Sequence, residues 1–340
     1  MSVTTDKEWI QLGDAPEIPG LTFRYFQGRQ DYPEIVRIFN ACKRVDGVEY
    51  SIGEEDIAHN FDHLENCDPF TDMVFAEIEG EAIAYSRVGW YQESQGDYIY
   101  YALGWLDPQW RRKGIGTAIL KHNEARLQEI ASDHPAEAIK WLQNDHNDTQ
   151  AGVAALLETN GYQAIRWGLG MRRPITDPLP EVPLPDGLEV RPVKEDQYPL
   201  VFEASNEAFR DHWGHSESSP ESYQSWLTWP FFNPKLWKVA WDGDQVAGMV
   251  LNWFNPDENR EYGRQRGWTD PICVRRQWRR RGLARALLVQ SVIMFQQMGF
   301  GETALDVDTQ NPNQALHLYT GVGYKKVREE ITYRKPLYPA

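Results

Sequence analysis

The sequence of 340 residues lacks long apolar runs and is poor in cysteine. No stretch approaches the run of about 20 apolar residues that a membrane-spanning helix needs. The three cysteines are odd in number and widely spaced, which is typical of a reduced compartment rather than a disulfide framework. Residues 1–7 contain no apolar segment of the signal-peptide kind, so export is not expected. The sequence therefore predicts a cytoplasmic protein, neither membrane-bound nor secreted.

Positive charge is also scarce. Lysine and arginine number 35 against 50 aspartates and glutamates, a formal net charge of −15. Such a protein repels nucleic acid and anionic membranes unless a local basic patch overrides its field, so neither is expected as a partner. Hydrophobic residues at 41% and aromatic residues at 13% argue against disorder. Because the chain exceeds one ordinary hydrophobic core, two domains are expected.

The chain contains two copies of one unit, recognisable by three matches in the same order. The offsets between the copies are nearly constant, and a period this long indicates duplicated domains rather than a solenoid. The matching segments are 20–24 with 187–191, 111–116 with 279–284, and 160–162 with 322–324. A proline-rich stretch between the copies favours an extended connector. The predicted divisions are an irregular leader 1–20, a first domain 21–172, a linker 173–187 and a second domain 188–340.

Each copy alternates predicted strands and helices in the same order. Asp-Gly and Glu-Gly-Glu turns between apolar runs predict a hairpin in each copy. A long helix from Leu283 to about Met298 carries apolar residues on one face. A mixed sheet with helices on its faces, an α+β fold, is therefore expected. The other predicted elements of the second copy are strands at 188–193, 236–241, 246–253, 304–307, 324–327 and 330–334, and helices at 198–209 and 314–320.

A basic glycine turn is the sharpest chemical signal. A strand ending at Val274 leads into a segment, residues 275–285, with six arginines, and a helix begins within it after Gly282. Backbone N–H groups at such a turn converge, and the helix dipole adds positive charge, so a diphosphate fits there. Spare arginines could hold a further phosphate. A solvent-exposed basic turn is the alternative, but the recurrence of the turn in both copies favours phosphate binding.

This turn, Arg279-Arg280-Arg281-Gly282-Leu283-Ala284, resembles motif A of the GCN5-related N-acetyltransferases (GNAT fold). The segment 306–324 resembles motif B, in which an asparagine begins a helix and a tyrosine precedes a glycine-aromatic pair. Together the motifs cover both halves, so the resemblance implies two tandem GNAT domains. It also implies acetyl-CoA as the acyl donor, with pantetheine in a gap between the strand ending at Val274 and the strand around Leu305.

The resemblance assigns cofactor-binding positions in both copies. In the second copy they are Ile272, Val274, Arg279, Arg280, Arg281, Gly282, Leu283, Ala284, Arg285 and Asn311. In the first copy they are Leu106, Arg111, Arg112, Lys113, Gly114, Ile115, Gly116 and Thr117.

Two residues are candidates for catalysis. Tyr319 occupies the family's position for the general acid that protonates the departing thiolate; otherwise it is a helix tyrosine packed on the sheet. Asp270 is a candidate base, and a turn carboxylate at a strand end is an equally good interpretation. The oxyanion would be held by a strand N–H near Val274. The aromatic loop with Phe209, His212 and Trp213 is the candidate acceptor pocket. Two histidines without a third ligand are weak evidence for a metal, and none is expected.

The two copies are not equivalent at these positions. Counting back from the glycine-tyrosine pair places Leu157 where the second copy has Tyr319, and a leucine cannot protonate a thiolate. The leading hypothesis is therefore an N-acetyltransferase that moves an acetyl group to a primary amine, with chemistry in residues 188–340. A non-catalytic acyl-CoA sensor or scaffold is the alternative hypothesis. A monomer or homodimer is expected, with acyl-CoA and a small amine as partners.

Overall fold

The computed structural model describes residues 9–311 and 315–337, which form two compact units. Unit 1 contains the described residues up to Ile165 together with those from Ile331 onward, and unit 2 contains Arg166–Glu330. These divisions differ from the boundaries predicted at the proline-rich linker. Residues 166–172 belong to the second unit, and the C-terminal residues belong to the first.

Unit 1 begins with two antiparallel strands and contains most of the first copy. The first residues of β7 (Gln163–Pro174) and the last residues of β14 (Lys325–Pro336) also belong to it, and the rest of both strands belongs to unit 2. Its elements are β1 (Trp9–Ile10), β2 (Leu21–Tyr25), α1 (Tyr32–Asp46), α2 (Glu54–Asp62), α3 (Pro69–Asp72), β3 (Met73–Ile78), β4 (Glu81–Gln92), β5 (Tyr98–Leu106), α4 (Ile115–Ala131), β6 (Lys140–Asn147), α5 (Ala151–Thr159) and β7 (Gln163–Pro174).

Unit 2 largely repeats this order of strands and helices. Its elements are β8 (Glu189–Val190), α6 (Tyr198–Phe209), α7 (Pro220–Thr228), β9 (Lys238–Asp242), β10 (Gln245–Val250), α8 (Pro256–Glu261), β11 (Arg266–Trp268), β12 (Ile272–Val274), α9 (Leu283–Gln297), β13 (Glu302–Asp308) and α10 (Ala315–Thr320). The helix predicted from residue 314 begins at Ala315 among the described residues, and residue 314 itself lies outside them. None of the described helices is long and apolar enough to cross a membrane.

The sheet of unit 1 is mixed. Its strands follow the order β1-β2-β3-β4-β5-β6, and the C-terminal residues of β14 continue it beside β6. Strands β5 and β6 pair in parallel from Tyr98 with Lys140 to Tyr101 with Gln143. The neighbouring pairs from β1 to β5 are antiparallel. The α+β prediction, a mixed sheet flanked by helices, is confirmed.

The leader is not wholly irregular. Trp9–Ile10 pairs with β2, and Leu12 is buried with Ile115 in the core beneath helix α4. An extended segment with one apolar residue per few positions can pack in this way although it shows no helix or strand periodicity.

In unit 2 two strands separate where the resemblance implied a gap, between the strand that ends at Val274 and the strand around Leu305. Strand β11 pairs in parallel with β13, and the last contact is the Thr269 N–H that donates to the Ala304 carbonyl at 2.9 Å. Strand β12 instead pairs with β10 in a second sheet, of order β12-β10-β9-β8. Pro271 has no N–H to continue the ladder. A gap therefore opens between β12 and β13.

Candidate active site

The gap in unit 2 widens into a cavity of about 860 Å³. It joins parts of the sequence that are far apart: the loop after α6, strand β12, the glycine turn, the end of β13 and helix α10. The predicted site residues that line it are Phe209, His212, Asp270, Ile272, Val274, Arg279, Arg280, Gly282, Leu283, Ala284, Arg285, Asn311 and Tyr319. Of the described residues that were predicted in this copy, Arg281 and Trp213 do not line it.

The glycine turn has a backbone conformation suited to an anion. Gly282 caps helix α9 with φ +84° and Arg280 also has positive φ, at 61°. Two left-handed residues so close together direct successive N–H groups into one concavity. No side chain caps the helix, so the N–H groups of Leu283, Ala284 and Arg285 face outward without an intrahelical partner. Apart from its chain neighbours, no heavy atom of the described residues lies within 4 Å of the position of a Cβ on Gly282, which leaves room for a ligand.

Most arginines of the loop bind protein groups rather than stand free. Arg279 donates to the carbonyls of Val274 and Ala208, each at 2.9 Å, and to Asp211 at 2.8 Å. These bonds tie the end of β12 to the end of α6. Arg276 shares Asp211, and both guanidinium groups hold the pKa of that carboxyl well below its usual range.

Of the remaining loop arginines, two bind protein groups and one does not. Arg275 pairs with Glu207 at 2.6 Å, and Arg281 donates to the Asp186 carbonyl at 3.0 Å. Among the described residues, Arg280 has no hydrogen bond or ion pair through its side chain, and it is exposed at the mouth of the cavity. Of the arginines in this loop that were expected to be available for a phosphate, only Arg280 has a guanidinium without a protein partner among the described residues.

Arg285 supplies an unused donor inside the cavity wall. One terminal nitrogen donates to the Gly321 carbonyl at 2.7 Å, but its buried Nε has no acceptor among the described residues. A buried donor without a partner costs about 1–3 kcal/mol, so an acceptor on a bound molecule would stabilise the site. Together with the open glycine turn, this donor fits the diphosphate or the pantetheine arm of acyl-CoA.

The free edge of β12 faces the gap. Pro271 accepts from the Leu251 N–H at 3.1 Å, and the Arg275 N–H donates to Ala247 at 3.0 Å, so these residues face β10. Backbone groups alternate along an antiparallel strand, and those of Ile272 and Val274 are therefore turned away from β10. They are the N–H groups that can bond to a carbonyl or an oxyanion in the cavity.

Tyr319 is buried in the cavity wall near the end of α10. Its ring packs edge-on to Tyr324, with centroids 6.4 Å apart. Tyr324 is itself fixed by hydrogen bonds to Thr269 at 2.9 Å and Thr303 at 2.8 Å. Burial, and secondarily the nearby Asp270 carboxylate, raises the pKa of Tyr319, so its hydroxyl stays protonated. The arrangement holds a neutral O–H donor at the gap.

Asp270 stands at the point where β11 and β12 separate. The indole N–H of Trp253 donates to its carboxylate at 3.1 Å. Burial raises the pKa of Asp270 to about 7, and the Asp306 carboxylate adds to this effect. A carboxyl with this pKa exchanges its proton near neutral pH, as a general base requires. The alternative of a turn carboxylate at a strand end describes the same position, because Asp270 lies between the end of β11 and the start of β12.

The acceptor residues expected from sequence are divided. Phe209 and His212 line the cavity and pack edge to face at 4.5 Å, and burial lowers the pKa of His212. Trp213 instead lies under the guanidinium of Arg166, at 4.7 Å. Sequence reasoning missed Trp229 and Asp306, which line the cavity. Alternation along β13 places residues 306 and 308 on one face, a signal that could have identified Asp306.

Unit 1 has the same turn. Gly114 caps α4 with φ +89°, and Arg112 has φ 63°. Arg111 donates to the Leu106 carbonyl at 3.1 Å and to Asp46 at 2.6 Å, as Arg279 does to Val274 and Asp211. The other predicted residues of this copy lie in the turn or the first turn of α4: Lys113, whose ammonium lies over the Trp110 ring at 4.2 Å, Ile115, Gly116 and Thr117.

The catalytic positions of unit 1 carry no acid or base. The Tyr162 N–H donates to the Leu157 carbonyl at 3.1 Å, and the Tyr324 N–H donates to the Tyr319 carbonyl at the same distance. Leu157 therefore occupies the structural position of Tyr319. The parallel pairs of β5 with β6 and of β11 with β13 likewise align Ala102 with Asp270.

Among the described residues, no group of three or more histidine, cysteine or carboxylate side chains could hold a metal ion.

Four features meet in the gap of unit 2: a turn suited to an anion, a strand edge that presents N–H groups, a protonated tyrosine and a carboxyl with near-neutral pKa. This combination is characteristic of an acyltransferase.

Comparison with known proteins identifies the class more closely. The profile of the acetyltransferase (GNAT) family matches residues 32–162 and 198–324. The chain belongs to this family and is an acetyltransferase, and acetyltransferases of the family use acetyl-CoA. The tandem organisation expected from the repeats is thereby confirmed.

Relatives and solved structures agree with this assignment. The chain is 27% identical over 269 residues to a mycothiol acetyltransferase of Geodermatophilus obscurus, covering 78% of this chain and 82% of that protein. It is 25% identical to a mycothiol acetyltransferase of Salinispora arenicola, covering 90% and 95%. A GCN5-related N-acetyltransferase from Sphaerobacter thermophilus superimposes with a TM-score of 0.70 at 27% identity, covering 94% and 96%. A tandem GNAT protein from the clavulanic acid pathway, at 14% identity, TM-score 0.67 and coverage of 94% and 99%, shares the fold.

Proposed function

We propose that the protein transfers an acetyl group from acetyl-CoA to a primary amine of a small molecule or peptide, by direct attack in a ternary complex, and that the reaction takes place in unit 2. One observation supports this above the others: a single cavity joins the glycine turn, the free edge of β12, Tyr319 and Asp270. A direct transfer needs donor and acceptor together, and the cavity has space beyond the turn for both.

The donor is held mainly by backbone. The N–H groups that open α9 bind the diphosphate, and the exposed guanidinium of Arg280 binds a phosphate oxygen. The pantetheine arm lies along β12, where Ile272 and Val274 offer N–H groups, with Asn311 and Arg285 Nε on the opposite side. The thioester carbonyl receives one of the β12 N–H bonds, which strengthens as the oxygen becomes negative.

The acid and the base are separate residues. Asp270 accepts a proton from the ammonium of the acceptor and leaves the nucleophilic amine. After the amine attacks the thioester carbon and the carbon–sulfur bond breaks, the Tyr319 hydroxyl donates a proton to the sulfur. The acylated nitrogen then gives up its second proton, which restores the Tyr319 hydroxyl and leaves the neutral amide. Because these groups differ in ionisation, both can be in the required state near neutral pH.

A thiol-release assay with a panel of amines tests the proposal. The acceptor of the mycothiol acetyltransferases is the first candidate for the panel, because those enzymes are the named relatives. Release of CoA thiol that depends on both acetyl-CoA and an amine supports the proposal. Binding of acetyl-CoA without release of thiol, across the panel, would contradict it.

For unit 1 we propose acyl-CoA binding without turnover. The turn of Arg112 and Gly114 keeps the backbone conformation of the turn in unit 2, whereas Leu157 and Ala102 replace the acid and the base. This is the sensor or scaffold hypothesis restricted to one half. Calorimetry of the full chain should then detect two bound equivalents of CoA, although only the site in unit 2 catalyses the reaction.

A further inference from the structure

The cavity of unit 2 has ends of opposite charge. Arg280 and Arg285 stand at the glycine turn, whereas Asp270, Asp306 and Asp308 line the other end. Asp308 already accepts three hydrogen bonds, two from Arg166 at 3.1 and 2.5 Å and one from the Gln310 N–H at 3.0 Å. The carboxylates with remaining capacity at that end are therefore Asp270 and Asp306.

Asp306 is fixed in place but retains acceptor capacity. One nitrogen of Arg328 contacts both of its oxygens, at 2.7 and 2.9 Å, in a pair that is partly exposed. A carboxylate has about four lone-pair sites, so two remain for a second donor. Asp270 accepts a side-chain hydrogen bond from a neutral group, the indole of Trp253. An ammonium between the two carboxylates would be attracted by both.

Rigid aromatic rings flank these carboxylates. Trp253 stacks on Trp268 with centroids 5.2 Å apart and planes 6° from parallel, and Phe231 stacks on it at 5.7 Å. Trp229 stands edge-on to Trp253 at 5.0 Å, and both tryptophans line the cavity. Rings fixed in this way contact a ligand without losing side-chain entropy. They provide an apolar wall beside the negative end.

The equivalent positions of unit 1 carry no carboxylate. The strand alignment that equates Leu142 with Ala304 makes Asn144 equivalent to Asp306, and Ala102 equivalent to Asp270. The two carboxylates therefore occur in the half that also has the tyrosine.

We propose that Asp306, Asp270 and the indole of Trp229 form the acceptor subsite, and that it selects a primary amine cation with an apolar or ring-bearing skeleton and no carboxylate beside the amino group. The inference rests on the proposed function and names its substrate class. A carboxylate on the acceptor would meet Asp306 across the cavity and be repelled. Asp306 is a specificity-determining residue, and Trp229 contacts the skeleton of the acceptor.

The test measures binding to the full-length protein saturated with CoA, by calorimetry, with two probes of the same ring. Tryptamine carries the amine alone, and tryptophan adds a carboxylate beside it. We expect tryptamine to bind at least about tenfold more tightly, a difference of ~1.4 kcal/mol. Asp306→Asn should reduce this preference to less than about threefold, mainly through weaker binding of tryptamine.

Two further variants make the result specific. Asp257→Asn removes one negative charge from an exposed ion pair outside the cavity wall and should leave the preference unchanged. Trp229→Ala should weaken the binding of tryptamine more than the binding of n-propylamine, which has no ring. Equal binding of tryptamine and tryptophan, no binding of tryptamine, or an unchanged preference in Asp306→Asn would each overturn the inference. Failure of the proposed function has a different signature: the wild-type protein would release no thiol with any amine, whatever its binding preferences.

Discussion

Replacing Tyr319 by phenylalanine removes the proposed acid and leaves the ring. The side chain is 7% exposed and packs against Tyr324, contacts that phenylalanine retains. Loss of a positioned proton donor lowers a rate by about 10²- to 10⁴-fold, so kcat should fall within that range. The KM for acetyl-CoA should change little, because the turn and the strand edge remain. Since burial keeps the Tyr319 pKa above the working range, the loss should be uniform across neutral pH.

The assay is thiol release at saturating amine, together with calorimetric binding of CoA. Tyr324→Phe is the matched control, since that hydroxyl bonds to Thr269 and Thr303 inside the core and does not line the cavity. Its loss should lower the free energy of unfolding by about 1–3 kcal/mol and leave kcat nearly unchanged. A Tyr319→Phe enzyme with kcat within about threefold of wild type would refute the assignment of the acid, because it would lie far below the general-acid contribution.

The remaining predictions concern the base and the donor turn. Because the pKa of Asp270 is about 7 and the base acts when ionised, kcat/KM should rise with pH through about 7. This rise should be absent in Asp270→Asn; if it is still present, another residue is the base. The same raised pKa means that the folded state holds a proton that the unfolded state releases near about pH 4, so thermal stability should fall between about pH 4 and 7, less so in Asp270→Asn. Arg280→Asn should raise the KM for acetyl-CoA about tenfold with little change in kcat, and asparagine tolerates the positive φ of this position. Arg112→Asn should leave this KM unchanged. If Arg280→Asn and the wild-type protein have equal KM values, Arg280 does not bind a phosphate of the donor. Gly282→Val should abolish turnover, and Gly114→Val should remove one calorimetric CoA equivalent at unchanged kcat; a Gly282→Val enzyme with normal turnover would contradict the binding site.

Local patterns predicted the local elements well. Helix α6 runs from Tyr198 to Phe209 as predicted, and α9 begins at Leu283, directly after the glycine that its left-handed cap requires. The repeat offsets aligned Leu157 with Tyr319, and one shared backbone hydrogen bond places them equivalently. Such features depend on residues a few positions apart, which is where periodicity and turn chemistry carry information.

Features that depend on distant residues were not predictable in the same way. The acceptor of Arg279 is Asp211, 68 residues away, and nothing in the arginine-rich loop indicated that its guanidinium was already engaged. The interruption between β11 and β12 separates one expected strand into two sheets. Trp229 and Trp253 meet through tertiary packing alone, without a shared periodicity.

The exchange of chain segments between the units has a practical consequence. A fragment cut at the proline-rich linker would deprive unit 1 of residues 331–336, exposing the edge of β6, and would deprive unit 2 of residues 166–172, which pair with β13. Exposed strand edges promote aggregation. Either half expressed alone should therefore be poorly soluble, so that a soluble preparation requires both halves in one polypeptide.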